Sequence, residues 1–364
     1  MADPAGRFPH RGGRTARHRQ WRRGSVPLLR RHHGPDRRGW RAGHRQSTHR
    51  LAAYRVSGIR VVGLGAALPE KIVTNAAFAA RLDTTDAWIA ERTGILERRM
   101  GGTTSSLATQ AGAAALANSG IDPADIDLLV LATSSPDQLM PATACTVQQA
   151  LGISGGAFDV NAACTGFVYA MVSAAGIMAI GARRAMVIGS DVLSTMTDPN
   201  DRNTAVLFGD GAGAVILETV DDGPGNLLAW DLAADGSTRH LLYIDHGGYL
   251  QMDGKEVFRR AVRVFVDSAQ KTLRDAGLTP DDVALLVPHQ ANSRIIGAAC
   301  DRLGISLERT AVNLDRVGNT SAGSIPLALA DAVAEGRLHD GDVVLMVGFG
   351  AGMTWASVAL KWGP

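Results

Sequence analysis

At 364 residues the chain has ample length for a core, either as one large domain or as two lobes. Its 46% hydrophobic and 20% charged residues suit a soluble globular enzyme, and its three widely spaced cysteines (Cys145, Cys164, Cys300) suggest neither a disulfide framework nor a zinc site. The net charge of +2 conceals a division: residues 1–55 hold 15 Arg, no Lys and two acidic residues, and the remainder holds 22 basic and 33 acidic ones.

The basic leader comes first. It is rich in Arg, Gly and His without apolar periodicity, and is expected to be disordered. It has no apolar stretch for a secretory signal and is not Ser-rich like an organellar transit peptide. We read it as upstream sequence translated from a misplaced start, because patterned sequence begins abruptly near Val56. From there strands alternate with helices, an α/β pattern. Gly63-Leu-Gly-Ala-Ala-Leu68 begins like a dinucleotide fingerprint but lacks the third Gly and runs into Pro69. Trp88 and Arg92, four apart, share one face of a predicted helix.

Asp127–Thr133 and Ala157–Asn161 read as strands. The second meets Ala/Gly-rich, helix-compatible sequence and so sets Cys164 at a helix N-terminus. Unpaired N–H groups and the dipole there favour a thiolate, the nucleophile that acyl transfer uses. Standing alone, such a Cys would be a small buried hydrophobe. Gly166–Ala182 is apolar but full of Ala and Gly, and reads as a helix buried on all sides rather than a membrane span. Ala185–Ser190 is the next strand. Gly209-Asp-Gly-Ala-Gly213 lacks the Lys-Ser/Thr of a phosphate loop and reads as a tight turn between strands.

In the second half a strand, Val283–Val287, ends at a Pro and delivers His289. A Gly-containing turn within Val317–Pro326 presents Asn319. Singly these would be a structural histidine and a turn or cap residue. Together Cys, His and Asn, each at the end of an apolar strand-like run, form a coherent set. The halves also echo each other: Asp127–Thr133 matches Asp282–Pro288, Ala157–Asn161 matches Thr310–Leu314, and Ala185–Ser190 matches Val343–Gly348, each pair roughly 155 residues apart. Two βαβ-rich halves follow, residues 56–225 and 226–364.

From about Gly58 to Pro364 the chain resembles β-ketoacyl-acyl carrier protein synthase III, the condensing enzyme that starts type II fatty acid synthesis. The resemblance rests on six motifs in order: Asp86-Ala-Trp-Ile-Ala-Glu-Arg-Thr-Gly94, Asn161-Ala-Ala-Cys-Thr-Gly166, Gly209-Asp-Gly-Ala-Gly213, His289-Gln-Ala-Asn292, Gly318-Asn-Thr-Ser321 and Gly348-Phe-Gly-Ala-Gly352. It implies a thiolase fold, a five-layered αβαβα sandwich with pseudo-twofold symmetry. It further implies that Cys164 takes an acyl group from acyl-CoA, and that His289 and Asn319 donate to the thioester oxygen of malonyl-acyl carrier protein. The backbone N–H groups of Cys164 and Gly350 would form a second oxyanion hole, with Phe349 lining the chamber. By the same resemblance Trp88 and Arg202 sandwich the CoA adenine, Arg92 meets the phosphates, and Lys255, Arg259 and Arg294 form a basic rim for the carrier protein. Met140 would close the acyl pocket across a homodimer interface; Met is flexible and leaves longer or branched starters open.

The implied enzyme is cytoplasmic, needs no metal or other cofactor, and has no nucleic-acid or membrane partner. Elongating condensing enzymes pair Cys with two His, and thiolases use a second late Cys; this chain has Asn319 and no Cys after Cys300. Asp301 departs from a basic residue often found there. Two rivals remain: a starter-selecting ketosynthase or acyltransferase of secondary metabolism on the same site, and a nucleic-acid-binding protein acting through the leader.

Overall fold

The computed structural model describes residues 58–220 and 225–363, so the reading of residues 1–55 lies outside the described residues. The first stretch runs β1 (Gly58–Ala67), β2 (Ile72–Thr74), α1 (Asn75–Ala79), α2 (Asp86–Thr93), β3 (Glu97–Arg99), α3 (Thr104–Ser119), β4 (Leu128–Ala132), α4 (Thr143–Leu151), β5 (Gly156–Val160), α5 (Gly166–Met178), β6 (Arg184–Val192) and β7 (Asp210–Val220). The second runs β8 (Leu227–Ala234), β9 (Leu242–Tyr243), β10 (Gln251–Met252), α6 (Gly254–Ala276), β11 (Val283–Pro288), α7 (Ser293–Leu303), α8 (Leu314–Val317), α9 (Ser324–Ala334), β12 (Val343–Gly350) and β13 (Thr354–Lys361).

Two sheets carry the fold, ordered β1-β7-β6-β4-β5 and β11-β12-β13-β8. β4 is parallel to β5 and β6, and β11 is parallel to β12; the β6–β7, β7–β1, β12–β13 and β13–β8 pairs are antiparallel. The sheets therefore repeat one topology, with β4, β6, β7 and β1 corresponding to β11, β12, β13 and β8. The expected mate of β5, Thr310–Leu314, does not form a strand: a single parallel bridge, Leu286 to Thr310, stands in its place. A 3₁₀ turn, Leu307–Arg309, leads into it and α8 begins at Leu314, so the segment is too short to pair further.

Apolar runs such as Leu128–Ala132 are buried throughout because both faces of each sheet are covered. α5 and α9 share one core with the facing sides of both sheets, through Phe167, Met171, Ile325 and Leu329. α3 and α4 cover the far face of the first sheet, and α6 and α7 that of the second. The result is an αβαβα sandwich, and α5 is the buried helix that its Ala/Gly-rich composition suggested.

Two glycine motifs find structural uses. Gly65 sits where a Cβ would lie 2.2 Å from the Ala111 carbonyl, so it lets α3 press against β1 and has no nucleotide role. Gly209–Gly213 is not the expected turn; instead Asp210–Gly213 opens β7, with Gly209 immediately before it. A Cβ on Gly213 would lie 2.6 Å from Pro326 of α9, so the glycines thin this strand for a helix to pack upon it.

Candidate active site

The nucleophile candidate stands between β5 and α5. The Asn161 side-chain oxygen accepts from the Ala163 N–H at 3.3 Å, closing an Asx turn, and Ala163 takes a φ of 49°. A non-glycine residue in that region costs roughly 1–2 kcal/mol, so the bend is held by its surroundings. Cys164 follows in a 3₁₀ turn, Ala163–Thr165, that feeds α5. The Thr165 hydroxyl fastens this turn to the Ala162 carbonyl at 2.6 Å and to the Thr354 hydroxyl at 3.0 Å.

The thiolate expected at this helix start is not favoured. Burial pushes the Cys164 pKa from 9.0 to about 12; a hydrogen bond from Ser321 opposes that rise, and the charge of Asp191 adds to it. The net rise is on the order of 4 kcal/mol against the thiolate. A helix dipole supplies about 0.3–2 kcal/mol, so desolvation wins.

His289 follows β11, its backbone N–H donating to the Val347 carbonyl of β12 at 2.8 Å. Its Nδ1 lies 2.6 Å from the Ser324 hydroxyl in the first turn of α9, and its ring meets Phe349 edge-on at 5.5 Å. Burial lowers its pKa from 6.5 to about 3, so the imidazole is neutral.

Asn319 follows Gly318, whose φ of 69° makes the turn. Its backbone N–H donates to the Leu207 carbonyl at 2.9 Å, and its side-chain oxygen accepts from the Ser321 N–H at 2.9 Å. With the oxygen held, the amide NH2 is turned away from that bond and left as a donor. This is the Asx turn of Asn161 repeated in the second half, and Ser321, like Ala163, has a positive φ, here 50°.

Asp191, near the end of β6, ties the segment that follows β4 to the turn that carries Asn319. One carboxylate oxygen accepts from the Thr133 and Ser135 hydroxyls and the Ser134 and Ser135 N–H groups; the other accepts from the Ala322 N–H at 3.0 Å. Burial raises its pKa while these donors pull it back down. Asp191, Ser321 and Ser324 were missed in the sequence. Only the later finding that Cys164 and Asn319 occupy corresponding bends would have drawn attention to the residues flanking Asn319.

A single cavity of about 1510 Å³ brings the set together. Cys164, His289, Asn319, Phe349 and Gly350 line its buried end; Arg92, Lys255 and Arg294 line it where it is exposed, with Trp88 half-buried between. Gly350 ends β12 against the nucleophile turn, where a Cβ would lie 2.8 Å from the Cys164 nitrogen. That nitrogen is backbone and cannot swing aside. Gly350→Ala is therefore expected to slow acyl loading on the order of a hundredfold, measured by intact mass against time, with the circular-dichroism spectrum retained. Loading at the wild-type rate would show that the close approach is unimportant.

Three expected site residues do not line this cavity. Arg202 lies directly over the Trp88 ring at 5.2 Å, a cation–π distance with no room for a base between them, and bonds the Asp83 carbonyl at 2.6 Å. The pair thus forms no open sandwich here; Arg92 also lies over Trp88, at 5.4 Å. Arg259 is held by Glu256 at 2.6 Å rather than free on a rim. Met140 is 83% exposed and leaves the cavity of its own chain untouched. α2 itself is placed by Thr85, which caps it through the Trp88 N–H, and by Asn292, whose amide donates to the Arg92 carbonyl at 3.0 Å.

Fold and site define a thiolase-fold acyltransferase. Family models described as 3-oxoacyl-[acyl-carrier-protein] synthase III, and as the C terminal of that protein, match residues 158–236 and 273–362. Beta-ketoacyl-[acyl-carrier-protein] synthase III 1 of Bacillus anthracis is 47% identical over 310 residues, 84% of this chain and 99% of that protein. The Rhodobacter capsulatus protein named beta-ketoacyl-[acyl-carrier-protein] synthase III is 49% identical over 319 residues, 83% of this chain and 98% of its own. Among solved structures, 3-oxoacyl-[acyl-carrier-protein] synthase III of Aquifex aeolicus VF5 superposes with a TM-score of 0.81 at 43% identity, covering 84% of this chain and all of that one. The priming beta-ketosynthase from the R1128 polyketide pathway gives 0.80 at 36% identity, covering 84% and 96%. The chain belongs to the 3-oxoacyl-[acyl-carrier-protein] synthase III family. Among the described residues no helix is long and apolar enough to cross a membrane, and no group of three or more His, Cys, Asp or Glu could hold a metal ion.

Proposed function

We propose that this enzyme makes the first carbon–carbon bond of type II fatty acid synthesis. The Cys164 sulfur attacks the carbonyl of a short acyl-CoA; the thioester bond to CoA breaks, and CoA leaves with the thiol proton. Malonyl-acyl carrier protein then enters and loses CO2. The carbanion attacks the acyl-Cys164 carbonyl, the new carbon–carbon bond forms and the carbon–sulfur bond breaks; β-ketoacyl-acyl carrier protein departs, and the Cys164 sulfur takes a proton from solvent. Decarboxylation generates the carbon nucleophile, so the reaction needs no metal or other cofactor. His289 and Asn319 stabilise the enolate oxygen; the N–H groups of Cys164 and Gly350 stabilise the tetrahedral intermediates. In this reading the nucleophile comes from the half 56–225 and both donors come from the half 226–364.

The observation that carries the proposal is that Cys164, His289 and Asn319 line one cavity, with His289 held neutral by burial. Trp88 and Arg92 bind the CoA, and Arg202 lifts off Trp88 to admit the adenine. Lys255 and Arg294, exposed on the same cavity, receive the acidic carrier protein; Arg259 joins them by releasing Glu256. The enzyme works as a homodimer. β5, just before the nucleophile turn, is an edge strand with only half-buried side chains beyond Gly156, and Met140 is exposed, as a residue reaching into a partner's pocket would be. A cytoplasmic site suits a thiol that must stay reduced.

The test is intact-mass spectrometry after incubation with acetyl-, isobutyryl- and longer acyl-CoAs. A mass gain equal to the acyl group, absent in Cys164→Ala, is expected. No gain from any acyl-CoA would replace this reading with a condensing enzyme primed from a carrier protein.

A further inference from the structure

His289 can serve as a donor only if its proton is on the nitrogen that faces the cavity, and a neutral imidazole has two tautomers. Burial accounts for the neutrality but not for the choice. The Ser324 hydroxyl lies 2.6 Å from Nδ1, and the Gln290 backbone N–H donates to the same hydroxyl oxygen at 3.4 Å. Ser324 is 0% exposed and sits in the first turn of α9.

We propose that Ser324 is a positioning residue that fixes His289 as the Nε2–H tautomer. Gln290 supplies a donor to the Ser324 oxygen, so the hydroxyl hydrogen needs an acceptor, and His289 Nδ1 is the acceptor within reach among the described residues. With the ring turned the other way electronically, Nδ1–H and Gln290 N–H would both donate to Ser324, and its buried hydroxyl hydrogen would have nowhere to go. Leaving such a group unpaired costs about 1–3 kcal/mol, enough to set the tautomer by roughly tenfold or more. The first turn of α9 adds to this, because its positive end opposes a proton on Nδ1. Nε2–H is left directed at the cavity that Cys164 and Asn319 share, and the edge-on Phe349 ring limits the tilt of the imidazole.

The catalytic consequence rests on the proposed function; the tautomer does not. The two are therefore measured apart. In the wild-type enzyme labelled with 15N-histidine, with His289→Asn used to assign the signal, the His289 nitrogens are expected to show a protonated Nε2 and an unprotonated Nδ1. A protonated Nδ1 overturns the proposal, and this measurement needs no folded Ser324 variant. In Ser324→Ala, release of CO2 from malonyl-acyl carrier protein is expected to fall on the order of tenfold, while Cys164 loading changes less than threefold. Ser324→Thr, which keeps a hydroxyl, should recover most of the loss if it folds. A purely packing role would slow both half-reactions together and leave the wild-type tautomer unconstrained. If His289→Ala itself leaves CO2 release intact, the proposed function fails while the tautomer assignment stands.

Discussion

Alanine in place of His289 or Asn319 is expected to leave Cys164 chargeable by acyl-CoA and to trap the enzyme in its acylated form. In the proposed reaction, loading uses the thiol and the backbone donors of Cys164 and Gly350. Decarboxylation instead builds charge on the malonyl thioester oxygen, and the side chains available to meet it are the imidazole N–H and the amide NH2. Neither has to reorganise: His289 is held by Val347 and Ser324, and Asn319 by Leu207 and Ser321. A preorganised donor in a buried site is worth about 10²–10³ in rate, so each single variant should lose that much in CO2 release. Because both donors address one oxygen, the double variant should lose less than the product of the two. The measurement is CO2 release from malonyl-acyl carrier protein beside the mass of the accumulating acyl-enzyme. Equal loss of loading and decarboxylation in His289→Ala would mean that the imidazole also serves the thiol, and the division of labour would have to be redrawn.

The parts of the site that could be read from the sequence are those that local pattern places. Cys164, His289 and Asn319 each follow a strand-forming apolar run, so their positions at strand ends depend on neighbours in the chain. Strand β11 and the α5 helix followed for the same reason. What could not be read depends on contacts across the fold. The Cys164 helix start suggested a thiolate, but the charge state is decided by burial beneath the second sheet's loops, and no local pattern reports that. Asp191 looks like any aspartate at a strand end until β6 sets it between Thr133–Ser135 and Ala322. Gly209–Gly213 resembled a turn because glycine permits turns; the helix packed on Gly213 shows that the residue was needed for thinness. Arg98 is the extreme case, a fully buried guanidinium bonded to Asn75 and Val206, with Gly318 packed against its Cβ. It underlies the Asn319 turn from more than two hundred residues away, and nothing in its charged neighbourhood, Glu97-Arg-Arg99, distinguishes it from a surface arginine.

The neutral histidine also makes the fold sensitive to acid, in a way that can be separated from other titrations. His289 keeps a pKa of about 3 in the folded enzyme, against about 6.5 when the chain is unfolded. Between those values the unfolded chain binds one more proton at this position, so stability falls as pH falls through 6.5. The slope is about 1.4 kcal/mol per pH unit, and it accumulates to roughly 5 kcal/mol by pH 3. Asp191 has the opposite sign: its raised pKa makes the folded state take up a proton earlier, which favours folding as pH drops through the carboxylate range. Total stability therefore mixes the two, and the informative quantity is a difference. Urea unfolding of wild type and His289→Asn between pH 7.5 and 4.5 should give curves whose separation changes by about 2–3 kcal/mol, the variant gaining relative to wild type as pH falls. The hole left by the smaller side chain shifts every point equally and does not mimic this trend. Parallel curves would mean that His289 titrates normally in the folded enzyme. The imidazole would then be protonated over part of the working range, and its service as a neutral donor would fail with it.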